Sequence, residues 1–257
     1  MSLHSQRDRA SSFGADPDRY DRARPSYPDA LIEHLLGLVD DGGDPVRVLD
    51  VGCGTGIASR RFAAAGAEVL GVEPDERMAG VARARGTEVE VAGFETWQPG
   101  GRTFDLVVAG QAWHWVDPDV GPHRAADALR PGGVLAPFWN LGHHGDAQEA
   151  FDRVYAELGP IPGGDAMVGG RRDGGVEHRR AIEASGRYAT VDETEFAWER
   201  TYTRSEWLDQ MPSHSLHRLM AEDDLRRLLD AIGAVIDDLG GSFTMHYDCV
   251  TIIARRR

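Results

Sequence analysis

The sequence predicts an α/β protein built on a doubly wound, mostly parallel sheet of seven strands, with an antiparallel C-terminal strand and an inserted cap. Three observations carry this expectation. From Val46, short β-branched runs alternate with helical patterns. A glycine-rich turn, "GCGTG" (Gly52–Gly56), joins the first run to the first helix. Near the C-terminus, two strand-like runs flank an amphipathic helix.

"VRVLDV" (Val46–Val51) suits a buried parallel strand. "IASRRFAAAGA" (Ile57–Ala67) has a helical pattern that Gly66 closes. "EVLGVE" (Glu68–Glu73) is the next strand, and "PDERMAGVARARG" (Pro74–Gly86) the next helix, again ended by glycine. "TEVEVA" (Thr87–Ala92), "FDLVVAG" (Phe104–Gly110) and "GGVLAPFWN" (Gly132–Asn140) are strands three to five, with a helix through "RAADALRPGG" before the last. Such alternation implies a Rossmann-like parallel sheet covered by helices on both faces. Residues 141–190 are rich in glycine and charge without apolar periodicity, so they are expected to form a mobile cap that does not extend the sheet. "TEFAWERTY" (Thr194–Tyr202) is strand-like and "SEWLDQM" (Ser205–Met211) a short helix. In the helix that follows, Leu225, Leu228, Leu229, Ile232, Val235, Ile236 and Leu239 share one face. "FTMHYDCVTIIARRR" (Phe243–Arg257) closes the chain as a long strand. No internal repeat or long linker interrupts this order. The chain reads as one domain, 1–257, with 1–45 a lid and helix, 46–140 a ligand-binding core, 141–190 the cap, and 191–257 the last strands and helices.

Composition narrows the function. A net charge of −14, from 28 basic and 42 acidic residues, argues against a surface that grips nucleic acid. The short basic runs around Arg171 and at Arg255–Arg257 read as solvated charge. Cys53 and Cys249 lie far apart and offer neither a disulfide framework nor zinc spacing. No stretch approaches the roughly 18 apolar residues of a membrane span, and "MSLHSQRDRASSF" lacks the apolar core of a signal peptide. A cytoplasmic location is the expectation.

The glycine turn admits several ligands. A phosphate loop needs lysine and Ser/Thr after its last glycine, whereas Ile57 and Ala58 follow Gly56. A dinucleotide fingerprint is spaced G-x-G-x-x-G; here the third glycine comes one residue earlier. Both spacings let backbone approach a ligand at a helix N-terminus, so the turn alone leaves a dinucleotide open. Glu73, at the end of the second strand, can accept hydrogen bonds from a ribose diol in either case.

Four segments, "VLDVGCGTG", "GVEPDERM", "FDLVVAGQAWHW" and "ALRPGGVLA", occur in order between Val48 and Ala136. Together they resemble the successive motifs of class I S-adenosylmethionine-dependent methyltransferases, most closely the type 11 small-molecule group. The N-terminal "YDRARPSYPDALI" is similar to a segment before the first motif in that group. The resemblance implies that S-adenosylmethionine binds and leaves as S-adenosylhomocysteine, and that the partner is a small-molecule methyl acceptor. It places Asp50 and the turn Gly52, Cys53, Gly54, Thr55 and Gly56 along the ribose and methionine. Glu73 and Pro74 then sit at the ribose, Met78 near the adenine, and Gly110 and Gln111 beside the methionine end. Many relatives carry an acid after the third strand that meets the adenine amino group; Gly93 stands there, and Phe94 and Glu95 take its place. Tyr20 and Arg24 are expected to fold over the cofactor, Arg24 pairing with its carboxylate.

The acceptor is expected near "QAWHWVDPD". His114 is the candidate general base, being the one side chain there that titrates near neutrality. Trp113 and Trp115 either shape an aromatic wall or fill core space. The "(N/D)PP(Y/F)" segment that positions amino nitrogens is absent, which lowers an exocyclic-amine acceptor. Trp139, Asn140 and His143 leave the fifth strand on the ligand side and are candidate acceptor contacts, with His214 a weaker one. Adjacent His143 and His144 have no ligand partners at metal spacing, so no metal is expected. Two other readings stay in view: a nucleotide-linked oxidoreductase, and a non-catalytic cofactor-binding interaction protein.

Overall fold

A computed structural model describes residues 16–158, 173–214, 217 and 220–257. Arg171 and most of the central part of the 141–190 stretch lie outside the described residues. The described residues begin with helices α1 (Pro17–Ala23) and α2 (Asp29–Gly37). Strands β1 (Arg47–Val51), β2 (Glu68–Glu73) and β3 (Glu88–Val91) then alternate with α3 (Ile57–Ala64) and α4 (Glu76–Ala84). β4 (Phe104–Gly110), a 3₁₀ turn (Trp113–Trp115), α5 (Gly121–Ala128) and β5 (Leu129–His143) follow. Helices α6 (Gln148–Glu157) and α7 (Asp173–Ala184) lead to β6 (Tyr188–Thr203), α8 (Arg204–Gln210), α9 (Glu222–Asp238) and β7 (Ser242–Arg256).

The seven strands form one sheet in the order β3-β2-β1-β4-β5-β7-β6. β1 to β5 are parallel, and β7 runs antiparallel to both β5 and β6. The chain reverses direction of winding between β1 and β4, and the crevice at their carboxyl ends is the usual place for a ligand in such a sheet. Alternate residues bury opposite faces: Leu49, Val107 and Leu135 join one core, while Val48, Leu106 and Val134 pack beneath α2 and α3 in the other. A third core, of Phe151, Tyr202, Trp207, Ile232 and Phe243, sits where α6, α8 and α9 meet β6 and β7. On α9 the predicted face is buried at Leu228, Ile232 and Ile236, whereas Leu239 is exposed.

The boundaries of the predicted cap need correction. β5 continues to His143 and β6 begins at Tyr188, so the sheet takes both ends of the 141–190 stretch. Glycine content misled here: Gly142 pairs with Tyr247, and a Cβ on it would collide with the Met245 methyl. That glycine marks a close approach inside a strand rather than looseness. The described residues in between are helical, in α6 and α7. Among the described residues no helix is long and apolar enough to cross a membrane.

Candidate functional site

The carboxyl ends of β1, β2 and β4 open into a cavity of about 1020 Å³ that continues beneath α1 as far as α8 and β7. Its first half is the glycine turn. Gly52, Gly54 and Gly56 all have positive φ (64°, 57° and 81°), which L side chains rarely adopt. A Cβ on Gly52 would also come within 2.7 Å of the Ala112 Cβ. Gly56 differs from the others: it does not line the cavity, and its missing side chain makes room for Thr87. It is a packing residue, a correction to its expected ligand contact.

Two buried carboxylates flank this turn. Glu73 accepts from the backbone N–H of Gly54 (2.9 Å) and of Asp75 (3.0 Å), and burial still raises its pKa. Asp50, 1% exposed, accepts from Ser59 Oγ at Oδ2 (2.6 Å), while Oδ1 has no partner among the described residues. Desolvation lifts the Asp50 pKa to about 7. Cys53, Thr55, Pro74, Met78, Phe94 and Glu95 line the same half, together with Gly93 and Thr96, which motif reasoning passed over. Phe94 is wedged against Trp97 and Trp113, and Glu95 accepts from the Asp117 N–H (3.1 Å).

β4 ends in a strained turn. Gln111 has φ 57°, the single non-glycine positive value among the described residues. Its backbone N–H reaches the Phe138 carbonyl (2.9 Å) and its side-chain amide reaches the Asn140 carbonyl (3.1 Å). Gly110 leaves room for Phe138 and for Tyr27, a cavity-lining tyrosine that sequence reasoning missed. Tyr20 and Arg24 close over the cavity from α1, with the guanidinium 5.2 Å from the Tyr20 ring centre. α1 is tied to both sides. Asp21 pairs with Arg60 (2.8 Å) and Arg85 (2.9 Å), and Arg19 and Arg22 both pair with Asp209 (3.0 Å).

The expected acceptor contacts separate. His114, Trp115 and Asn140 line the cavity. Trp113, 2% exposed, belongs to the core. Trp139 stands behind the wall, stacked on His178, and donates its indole N–H to His114 Nδ1 (3.2 Å). His143 stacks on His246 away from the cavity (5.2 Å), because its strand turns it to the other face. Since His114 Nδ1 accepts, the neutral ring carries its proton on Nε2 and presents a donor, which weakens its case as a base.

The far half of the cavity was anticipated only at His214, the weaker of the expected acceptor contacts, which does line it. A capping box between Thr203 and Glu206 fixes the start of α8. Trp207 and Gln210, one helical turn apart, then both face inward. With them stand Tyr155, Met211, Met245, Tyr247 and three histidines, His144, His214 and His217. Burial lowers the pKa of all three, and Arg24 adds to the effect at His214. His217 has Nδ1 2.6 Å from the Met211 carbonyl and Nε2 3.2 Å from the Tyr155 hydroxyl. Tyr202 and Tyr247 share a hydrogen bond (2.9 Å). The Trp207–Gln210 spacing was the one other local signal available. No group of His, Cys, Asp or Glu among the described residues could hold a metal.

Comparison with known proteins bears on this geometry. Residues 48–133 match the methyltransferase domain family. The chain is similar to an uncharacterised methyltransferase of Mycobacterium tuberculosis, 34% identical over 213 residues, covering 82% of this chain and 79% of that one. Over a shorter stretch, 50% of this chain and 47% of the other, it is 34% identical to a ubiquinone biosynthesis O-methyltransferase of Rhizobium etli. Among solved structures, a protein of Anaeromyxobacter dehalogenans assigned to the type II methyltransferases superposes with a TM-score of 0.63 at 23% identity, over 90% of this chain and 97% of that one. A phosphoethanolamine N-methyltransferase of Haemonchus contortus, in complex with S-adenosylhomocysteine, superposes at 0.56 with 16% identity, over 100% of this chain and 60% of the other. At these identities the two structures speak to the fold, which is the Rossmann-like methyltransferase fold.

Proposed function

We infer function from one premise: the chain belongs to the methyltransferase family and is a methyltransferase. We propose that its methyl donor is S-adenosylmethionine and its acceptor a small molecule. When bound, the donor supplies a methyl group on a cationic sulfur, which leaves by in-line displacement.

The observation that carries this reading is the pair of buried carboxylates at the glycine turn, one with an unpartnered oxygen. A pyrophosphate placed there would face two like charges in a poorly solvated site, so a dinucleotide fits badly. An amino-acid tail fits well. Asp50 Oδ1 would accept from its ammonium, and Glu73, already held by two backbone donors, would accept from ribose hydroxyls. Arg24, which has no carboxylate partner among the described residues, would pair with the tail's carboxylate. Met78 and Phe94 would flank the adenine with Glu95 at its edge, and Gly110 and Gln111 would border the methionine end. Cys53, Gly54, Thr55 and Pro74 complete the contact surface, and Tyr20 closes it as part of a lid formed by α1. For the transfer, the chain mainly has to align the acceptor and exclude water, a positioning effect worth ~7–11 kcal/mol in favourable cases. In this reading His114 orients, through its Nε2–H, and does not take the acceptor proton.

Calorimetric titration tests the proposal. S-Adenosylhomocysteine should bind the protein at micromolar concentration while NAD gives no heat. Tight NAD binding without a response to S-adenosylhomocysteine would overturn it.

A further inference from the structure

We propose that the chamber between α8 and β7 is the acceptor site, and that it selects a flat aromatic compound that bears a hydroxyl and no positive charge, with Gln210 as the residue that reads the hydroxyl. This deepens the reading above and rests on it for the identity of the opposite end of the cavity. Shape comes first. Trp207 and Tyr247 line the chamber as fixed rings: Trp207 meets the Phe243 ring edge-on at 5.0 Å, and Trp198 stacks behind Tyr247 at 4.5 Å. Tyr155 and His217 present parallel rings, 4° apart in plane, on another side. Rings held in this way offer faces and edges to another ring without losing further side-chain freedom.

Charge comes second. The carboxylates that line the cavity, Asp50, Glu73, Asp75, Glu76 and Glu95, all belong to the turn half. Asp152, whose charge reaches Tyr155 and His144, accepts from Gln148 Nε2 (2.8 Å) and does not line the cavity. Among the described residues the cation that lines this end is Arg24, and burial keeps the histidines neutral. Among those residues an ammonium would find no counter-charge lining this end, and Arg24 would repel it.

The third observation is polar and specific. Gln210 is 2% exposed, lines the cavity and donates from Nε2 to His214 Nε2 (3.2 Å). Its Oε1 is fully buried and has no hydrogen-bond partner among the described residues. Because His214 accepts at Nε2, its own proton lies on Nδ1 and is a donor. Gln210 and His214, which line the chamber among its aromatic walls, thus carry an unpaired carbonyl oxygen and an imidazole N–H. A phenolic or enolic hydroxyl, donor and acceptor at once, satisfies that set; a bare hydrocarbon would leave the buried amide oxygen unpaired.

Catechol and benzylamine are the probes, a hydroxylated ring and a cation of similar size. Each is titrated at pH 7.5 into the protein, with and without saturating S-adenosylhomocysteine. Catechol should bind at least tenfold more tightly than benzylamine. Gln210→Leu should weaken catechol at least fivefold while the S-adenosylhomocysteine affinity stays within twofold. Gln210→Glu should reverse the preference towards benzylamine, which keeps the test alive if the leucine variant does not fold. Equal binding of the two probes, no binding of catechol, or catechol binding indifferent to both substitutions would each overturn the assignment. Absence of S-adenosylhomocysteine binding would overturn the cofactor reading instead, so the two failures are distinguishable.

Discussion

At the turn end of the cavity most of the wall comes from one stretch of chain, Asp50 to Val116, and its carboxylates face inward. At the chamber end the wall is gathered from α1, β5, α6, α8 and β7, and among the described residues no carboxylate lines it. One end suits a ligand with cationic groups, the other a neutral ring, and Arg24 stands near their junction. The difference teaches that the two ends are chemically insulated: a substitution at one should leave binding at the other nearly untouched.

The strongest way to break that comparison is Glu73→Ala. Removing a buried acceptor of ribose hydroxyls should cost about 1.5–3 kcal/mol, which titration would read as at least a tenfold weaker S-adenosylhomocysteine affinity. Catechol binding should not change. Loss at both ends would show that Glu73 holds the whole cavity in shape.

Proton linkage sharpens it next. Burial pushes the Asp50 pKa up to about 7, and an ammonium ligand needs the carboxyl ionised. S-Adenosylhomocysteine affinity should therefore rise by up to about tenfold between pH 6 and 8, with proton release. Stability of the free protein runs the opposite way. The folded pKa lies above the ordinary 3.8, so the contribution is full below that value and is lost as pH rises through about 7. The whole span is worth roughly 4 kcal/mol. Asp50→Asn should flatten both dependences; an unchanged pH profile would remove Asp50 from the binding site.

The two ends also differed in how readable they were. "VLDVGCGTG" and "GVEPDERM" carry geometry in consecutive residues, since positive φ and a carboxylate at a strand end leave local marks. The seven strands were legible for the same reason, from periodicity within each run, whereas their order in the sheet came only with the structure. Gly56 shows the limit, because its neighbour Thr87 lies 31 residues away in the chain and no motif distinguishes packing from ligand contact. Gln210 and Tyr247 join His214 only when α8 docks on β7, so beyond His214 itself and the Trp207–Gln210 spacing the sequence carries little that marks this end. His143 failed through register: one residue further along β5 than Gly142, it points away from the cavity.

A smaller effect is expected at the boundary. His114→Ala removes the partner of the Trp139 indole, and should lower the melting temperature by a few degrees with S-adenosylhomocysteine affinity within twofold. Turnover, once an acceptor is found, should fall less than tenfold with an unaltered pH profile. A loss of about 10²–10⁴-fold together with a shifted profile would restore His114 as a base. The smallest effect belongs to Asp209→Asn, which frees α1 on the chamber side. Its ion pairs are partly exposed and worth roughly 0–1 kcal/mol each, so melting should drop by no more than a few degrees, and by less in high salt.

That same modest fastening sets a clock. α1 is latched to the turn side through Asp21 and to the chamber side through Asp209, by four ion pairs. The Asp209 half of the latch is partly exposed and worth little, whereas Asp21 is buried, so the chamber side opens more readily than the turn side. Both proposed ligands would lie beneath the latch, so one gate would serve two passengers. Their residence times should therefore be correlated: whatever loosens the latch speeds the departure of both, and product release rather than methyl transfer becomes the step that the latch can throttle.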